Sequence, residues 1–177
     1  MKLGLWQLFD HSSVSLKVIL ALGFLAPGMA VTGFTESVIA QVDSALASQQ
    51  CVMNGVRQWS RDISVGNELR TSTLRISTHP RAGNRRSQIT CSLGSASTSQ
   101  FSTLQLEVGL PDQEYRAATV LVFLDGELVK TEQLQPGTSK QLSLNVRSSN
   151  NVSIEAEGES SYGMYPYLYI LNATLTQ

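Results

Sequence analysis

Charged side chains are scarce in this sequence of 177 residues. They make up 15% of it, against about 25% in an average soluble protein, and the 13 basic and 14 acidic residues nearly cancel. A chain without a net charge field has no global attraction for nucleic acid. Serine, threonine, asparagine and glutamine fill the polar positions instead, which favours an exported β protein.

Histidine and cysteine, on which many catalytic and metal sites depend, occur only twice each. Two thiols and a single histidine beyond the N-terminal segment, His79, give no zinc-ligand spacing. No GxSxG stretch is present, and His79 has no evident partner for a Ser-His-Asp or Cys-His arrangement. Phosphate-binding loops, HExxH and EF-hand patterns are also absent. We therefore predict a protein that is not an enzyme and has no cofactor.

Carboxylates are present but not in a pattern that predicts chemistry. Glu155 and Glu157 alternate along one predicted strand, so they share a face and are typical of a solvated stripe rather than a glycosidase pair. Asp62, Asp112 and Asp125 offer the oxygen ligands that calcium prefers, yet they form no DxDxD-type cluster. The sequence permits a structural calcium ion without predicting one.

The marked apolar run near the N-terminus, Val18 to Ala26, is too short to span a bilayer comfortably and has the length of a signal-peptide core. Small residues offer cleavage after Ala40 or after Ala30. We predict that residues 1–40 are a signal peptide. An uncleaved membrane anchor is the alternative, and Pro27 weighs against it because proline interrupts helix hydrogen bonding.

Cleavage would release a secreted or periplasmic chain that no longer contacts the membrane. Residues 41–62 would be the lead-in of this mature chain, and residues 63–177 would form its single domain. Both cysteines, Cys51 and Cys91, lie in the mature part. An even count in an oxidising compartment predicts one disulfide between them.

Period-two and β-branched segments dominate the rest of the chain and predict an all-β domain. Their number favours an antiparallel β-sandwich. Asp125-Gly126 lies between two of them and predicts a two-residue hairpin turn. Only Gln41 to Gln50 suggests a short helix. The predicted strands are Thr73 to Thr78, Gln88 to Leu93, Phe101 to Leu110, Thr119 to Leu124, Glu127 to Leu134, Lys140 to Val146, Asn151 to Glu157 and Tyr167 to Thr176.

Basic residues collect in the segment Arg75 to Leu93, which includes Arg81 and Arg85. No aromatic residue lies between Trp59 and Phe101, so this segment has no stacking platform for nucleic acid bases. We interpret it either as a solvated basic loop or as a contact for an acidic polysaccharide.

Aromatic residues collect near the C-terminus instead. Tyr162 and Tyr165 lie in a glycine-containing loop, where open rings can stack on the apolar faces of sugars. Tyr167 and Tyr169 share one face of the last predicted strand and are typical of sheet-covering residues. Trp59 is a further candidate ring.

The order of these features resembles a family. The segments ISTHPR, FSTLQLEVGLPDQ, TVLVFLDGELV and YLYILNATL are similar to the NPCBM domain, the novel putative carbohydrate-binding module related to carbohydrate-binding family 51. The family's GTHA region matches Ser77 to His79, its VGLD turn matches Val108 to Leu110 with Asp112, and its hairpin matches Asp125-Gly126. Ser77 replaces the glycine of the family pattern, and the terminal Asp and Trp are replaced within YPYLY.

The resemblance covers about Ile63 to Gln177 and implies a jelly-roll sandwich of the galactose-binding-domain type. It also implies an exported, non-catalytic glycan-binding module, whose glycan is either neutral or acidic. In this hypothesis Tyr162 and Tyr165 stack on sugar, while His79, Arg81 and Arg85 donate hydrogen bonds. The alternative is a structural or protein-contact sandwich of an envelope or extracellular assembly, with a degenerate sugar site.

Overall fold

The fold is taken from a computed structural model, which describes residues 43–79, 86–94, 100–159 and 163–177. These residues form eleven strands and one 3-10 turn, Leu46–Ser48. The strands are β1 (Asp43–Ala45), β2 (Cys51–Asn54), β3 (Val56–Val65), β4 (Glu68–Ser77), β5 (Ser87–Ser92), β6 (Thr103–Leu110), β7 (Ala118–Leu124), β8 (Glu127–Leu134), β9 (Thr138–Asn145), β10 (Asn151–Gly158) and β11 (Tyr167–Thr176).

The described strands build two sheets in which every pairing is antiparallel. The six-stranded sheet has the order β3-β4-β11-β6-β9, with β1 added beside β11. The five-stranded sheet has the order β2-β5-β10-β7-β8. Apolar residues of both sheets meet in one core. This architecture confirms the predicted all-β antiparallel sandwich.

Side chains that alternate between the two faces of each strand fill that core. In β6, Leu104, Leu106, Val108 and Leu110 are fully buried, while the polar residues between them face outward. This is the period of two that a half-buried strand requires. The other core residues follow the same rule: Leu74, Ile76, Ile89, Val120, Val122, Leu134, Ile154, Leu168 and Ile170.

The predicted disulfide between Cys51 and Cys91 is confirmed. The two residues lie directly opposite each other on β2 and β5, with 4.1 Å between their Cα atoms. β2 is an edge strand of four residues whose Val52 is largely exposed. A cross-link therefore holds a strand that buries little apolar surface of its own.

The β3–β4 hairpin forms one edge of the six-stranded sheet, and its far end packs on side chains of β11. β3 has a bulge between Gln58 and Arg61, and beyond it Ile63 and Val65 pack on Tyr169 and Leu171 in a second apolar cluster. This approach depends on Gly109 of β6. A Cβ atom there would lie 3.0 Å from the Leu171 side chain and 3.5 Å from that of Val65.

Asp112 holds the tip of this hairpin. Its carboxylate accepts hydrogen bonds from the Gly66 N–H at 2.8 Å, the Asn67 N–H at 3.1 Å and the Ser64 hydroxyl. The contact leaves no room for a side chain at Gly137, where a Cβ atom would lie 2.6 Å from the Asp112 carboxylate. Asp112, which the family resemblance placed in a turn, therefore fastens the hairpin to the end of β6.

The predicted strands are confirmed, and the Asp125-Gly126 turn has the positive φ angles of 50° and 87° that such a hairpin requires. The suggested helix over Gln41 to Gln50 is wrong in its described part, because β1 and the 3-10 turn occupy that part. β2 and most of β3 lie in the range 41–62. β2 pairs with β5 and β3 pairs with β4, so both strands are part of the two sheets.

The whole of the predicted signal peptide, residues 1–40, and both proposed cleavage points lie outside the described residues. Among the residues that are described, no helix is long and apolar enough to cross a membrane.

Candidate functional site

A cavity of about 720 Å³ opens at one end of the sandwich. β4 ends there, β6 continues there into the loop 111–117, and β11 begins there. We call this space the loop cavity. Its described lining consists of Ser77, His79, Glu114, Tyr115, Arg116, Gly163, Met164, Tyr165, Pro166 and Tyr167.

Thr78 sets the position of two sides of the loop cavity. It is buried, and both its N–H and its hydroxyl donate hydrogen bonds to the Pro166 carbonyl, at 3.2 and 2.7 Å. Gly158 makes this approach possible, since a Cβ atom there would lie 2.9 Å from both Thr78 and Pro166. The residues that follow Thr78 and precede Pro166 are therefore brought together.

Those residues are His79 and Tyr165, two of the five predicted ligand-binding residues. Their ring centroids lie 4.4 Å apart at an interplanar angle of 59°, a tilted aromatic contact. His79 is exposed and Tyr165 is half-buried. The pair presents ring surface and polar atoms to the same space.

The other three predicted ligand-binding residues, Arg81, Arg85 and Tyr162, lie outside the described residues. Their predicted roles stay predictions.

Glu114 is a site residue that the sequence did not predict. Its carboxylate accepts a hydrogen bond from the Tyr167 N–H at 3.2 Å. Burial raises the pKa of Glu114 above its ordinary value of 4.5, and the hydrogen bond opposes this shift. Glu114 therefore brings a desolvated hydrogen-bonding group to the loop cavity beside the aromatic pair.

The rim of the loop cavity is apolar and open. Tyr115 is 83% exposed and Met164 is 65% exposed. Large apolar side chains at the mouth of a concave site are the usual setting of a ligand contact. The sequence pattern gave no reason to single out either residue.

Of the remaining aromatic residues, some cover the sheet and others line the loop cavity or contact Arg75. Tyr169 is buried in the second apolar cluster, as predicted for a sheet-covering residue. Tyr167 instead lines the loop cavity, and its ring lies 4.3 Å from the guanidinium carbon of Arg75. Trp59, considered as a ring for the sugar site, contacts the same guanidinium, with 4.2 Å between its ring centroid and the Arg75 guanidinium carbon.

Carboxylates considered for catalysis or calcium have other contacts. Arg86 lies 2.5 Å from Glu157 and 3.6 Å from Glu155, so both acids share one cation. Asp62 accepts a hydrogen bond from the Thr71 hydroxyl at 2.7 Å. Within the described part of the chain, no group of three or more histidine, cysteine, aspartate or glutamate residues is arranged to hold a metal ion.

No family model and no curated protein matches this sequence, whereas solved structures do. A CBM51 module from Clostridium perfringens GH95, solved in complex with methyl-galactose, is similar with a TM-score of 0.58 and 14% identity. The match covers 76% of this chain and 99% of that module.

Two structures of Clostridium perfringens ZmpB are also similar, each with 14% identity over 77% of this chain. The structure of its CBM51-2 and INT domains gives a TM-score of 0.58, and the structure of CBM51-2 in complex with GlcNAc and INT domains gives 0.52. The chain spans 32% and 29% of their lengths. At this identity the likeness establishes the fold, and it confirms at that level the resemblance to family 51 modules.

Proposed function

We propose that the protein is an exported, non-catalytic carbohydrate-binding module and that the loop cavity is its sugar site. The observation that carries this proposal is the placement of the His79–Tyr165 ring pair and the Glu114 carboxylate around one cavity. A sugar offers flat apolar C–H faces and a surrounding set of hydroxyl groups. A site that joins aromatic surface with a few convergent polar groups matches both features.

The fold supports the same proposal. Structural neighbours of this chain include modules solved with methyl-galactose and with GlcNAc. Methyl-galactose and GlcNAc are single-sugar ligands, and the loop cavity of about 720 Å³ is large enough for one or two sugar residues. The predicted roles of Tyr162, Arg81 and Arg85 belong to this proposal as further ring surface and hydrogen-bond donors from neighbouring loops.

Export is part of the proposal as well. The Cys51–Cys91 disulfide supports an oxidising compartment, so the mature chain would begin after Ala40 or Ala30 in the extracellular space or periplasm. Arg86 forms ion pairs with both Glu155 and Glu157, which supports a structural role for these carboxylates and binding without catalysis. We further propose that the glycan carries an acidic group.

A glycan array followed by affinity gel electrophoresis tests the sugar site. Tyr165→Ala and His79→Ala should each weaken retention on the best glycan by at least about fivefold, because a stacking contact contributes about 1 kcal/mol or more. Tyr165→Phe keeps the ring and should retain most of the binding. Phe123→Ala removes a half-exposed ring from the five-stranded sheet, and it is the matched control that should leave retention unchanged.

Unfolding temperatures of the variants separate loss of binding from loss of structure. Retention on no glycan, or equal loss in Phe123→Ala and Tyr165→Ala, would contradict the proposal. A stable protein partner recovered by cross-linking, together with no glycan retention, would favour the protein-contact alternative.

A further inference from the structure

Two arginines lie directly opposite each other on the outer face of the six-stranded sheet. Arg57 of β3 and Arg75 of β4 are register partners. Like charges at directly opposed positions are destabilising. The ion pairs found among the described residues involve Arg70, Arg86 and Lys130, so neither Arg57 nor Arg75 takes part in one of them.

Arg75 of β4 contacts two aromatic rings, one from each neighbouring strand, β3 and β11. Its guanidinium carbon lies 4.2 Å from the centroid of the Trp59 ring and 4.3 Å from that of Tyr167. Rings stacked on a guanidinium leave its edge, where the N–H donors lie, as the direction for further contacts. Burial raises the pKa of Tyr169 and a hydrogen bond from Arg75 opposes this shift, so part of the edge contacts Tyr169. The remaining donors are presented by a side chain that loses little conformational freedom on binding.

A hollow of about 440 Å³ lies beside this pair. Its described lining is Gly55, Val56, Arg57, Arg75, Ser77 and Tyr167, and we call it the arginine cleft. It contains two cations and no acid among these residues. Ser77 and Tyr167 also line the loop cavity, so the two spaces adjoin each other.

We propose that the arginine cleft binds the oxyanion group, a carboxylate or a sulfate, of an acidic glycan whose neighbouring sugar ring occupies the loop cavity. This inference rests on the proposed function. Two oxygens of a carboxylate or a sulfate accept paired hydrogen bonds from the guanidinium fork, and a bound anion relieves the repulsion between the two arginines. The protein has a net charge of −1, so the attraction is local to the cleft.

Dextran, dextran sulfate and carboxymethyl dextran share one polysaccharide backbone and differ in their anionic groups. Comparing them distinguishes retention caused by the anionic group from retention caused by the sugar. In affinity electrophoresis at low salt, the wild type should be retained more strongly by at least one acidic polymer than by dextran. Arg57→Ala and Arg75→Lys should reduce this excess by at least about tenfold, since charge-assisted hydrogen bonds are lost. The two acidic polymers show whether the cleft prefers sulfate or carboxylate.

Arg147→Ala is the matched control for charge. Arg147 is exposed in the turn that follows β9, so its removal lowers the net charge equally without touching the cleft. The excess retention should survive in this variant. The proposal is overturned if the wild type shows no excess, if the excess survives in Arg57→Ala and Arg75→Lys, or if Arg147→Ala loses as much.

A second measurement needs no glycan. The chain contains two tryptophans, so in a Trp6→Phe background Trp59 is the single indole and reports on Arg75 at 4.2 Å. Sodium sulfate, titrated against sodium chloride at constant ionic strength, should change Trp59 emission saturably in this protein and not after Arg57→Ala. A response with no glycan retention overturns the proposed function alone. Glycan retention without a response and without an acidic excess overturns the arginine cleft alone.

Discussion

At the scale of single residues, two aspartates close the corners of the sandwich. The carboxylate of Asp125 accepts hydrogen bonds from the N–H groups of Asn150 and Asn151, at 3.0 and 2.9 Å. Asp112 binds the hairpin tip in the same manner. In each case a carboxylate accepts hydrogen bonds from two consecutive backbone N–H groups at a turn. Both aspartates were candidates for calcium, and both have this structural role instead.

Loss of Asp112 should loosen the β3–β4 hairpin. The hydrogen bond from Ser64, with those from Gly66 and Asn67, holds the pKa of Asp112 below its ordinary value of 3.8. A carboxyl group whose pKa is lower in the folded state stabilises the fold above its ordinary pKa, and this contribution is lost as pH falls through the lowered value. We expect Asp112→Ala to lower the unfolding temperature at neutral pH and to differ little from the wild type in strong acid.

Thermal unfolding across this pH range checks the expectation, and hydrogen exchange at the Gly66 and Asn67 amides locates the change. Asp62→Ala is the control, because among the described residues the Asp62 carboxylate accepts one side-chain hydrogen bond, from Thr71 in the same hairpin, and its loss should matter less. A deficit in Asp112→Ala that stays constant down to the lowest pH would show that the charge of Asp112 is not what holds the hairpin.

The same scale shows which parts of the site can be predicted from the sequence. His79 and Tyr165 could be predicted from the sequence, since one lies in a family-like segment and the other in a glycine-containing loop rich in tyrosine. Glu114, Arg57 and Arg75 could not be predicted. Each acquires its role from neighbours far along the chain, and a local pattern carries no information about such contacts.

At the scale of elements, the strands that bury one face were predictable and those that do not were missed. β6 and β10 alternate buried and exposed residues in most of their length, which is the period that the sequence pattern detects. β3 contains a bulge and has mostly exposed residues before its last three positions. β2 is four residues long. Neither presents a regular period, so pairing with neighbours defines these strands.

The disulfide should stabilise β2 more than any other strand. Removing it in the double variant C51A/C91A should lower the free energy of unfolding by about 3 to 4 kcal/mol, from the loop of 40 residues that it closes. Urea unfolding with and without a reducing agent measures this change. Reducing agent should destabilise the wild type and leave the double variant unaffected.

Protection from hydrogen exchange should fall first in β2, which has a sheet partner on one side only. Equal stability of the wild type and C51A/C91A would mean that packing of the neighbouring strands already holds β2 in place. Loss of protection that begins instead in β10, a central strand, would contradict the local role of the cross-link.

At the scale of the whole molecule, the remaining prediction concerns export. If residues 1–40 are a signal peptide, the secreted protein should begin at Gln41, or at Val31 if cleavage follows Ala30. Mass spectrometry of the secreted protein identifies the first residue, and a thiol assay on the same sample should find no free cysteine.

Substitution of the small residue before the cut provides the control. Ala40→Leu should block processing if cleavage follows Ala40, whereas Ala30→Leu should then have no effect, and the pattern reverses for the other site. Recovery of the intact chain of 177 residues from the membrane fraction would contradict cleavage and favour the anchor.

The fastening of the hairpin tip by Asp112 has a consequence for how a ligand is captured. Asp112 begins the same loop, 111–117, that carries Glu114 and Tyr115 into the loop cavity, and Thr78 holds the opposite side. Hydrogen bonds within the protein thus hold part of each wall in the absence of a ligand, which should reduce the entropy lost when one binds. We expect the ligand to bind a preformed site, with an association rate limited by diffusion and orientation rather than by a conformational step.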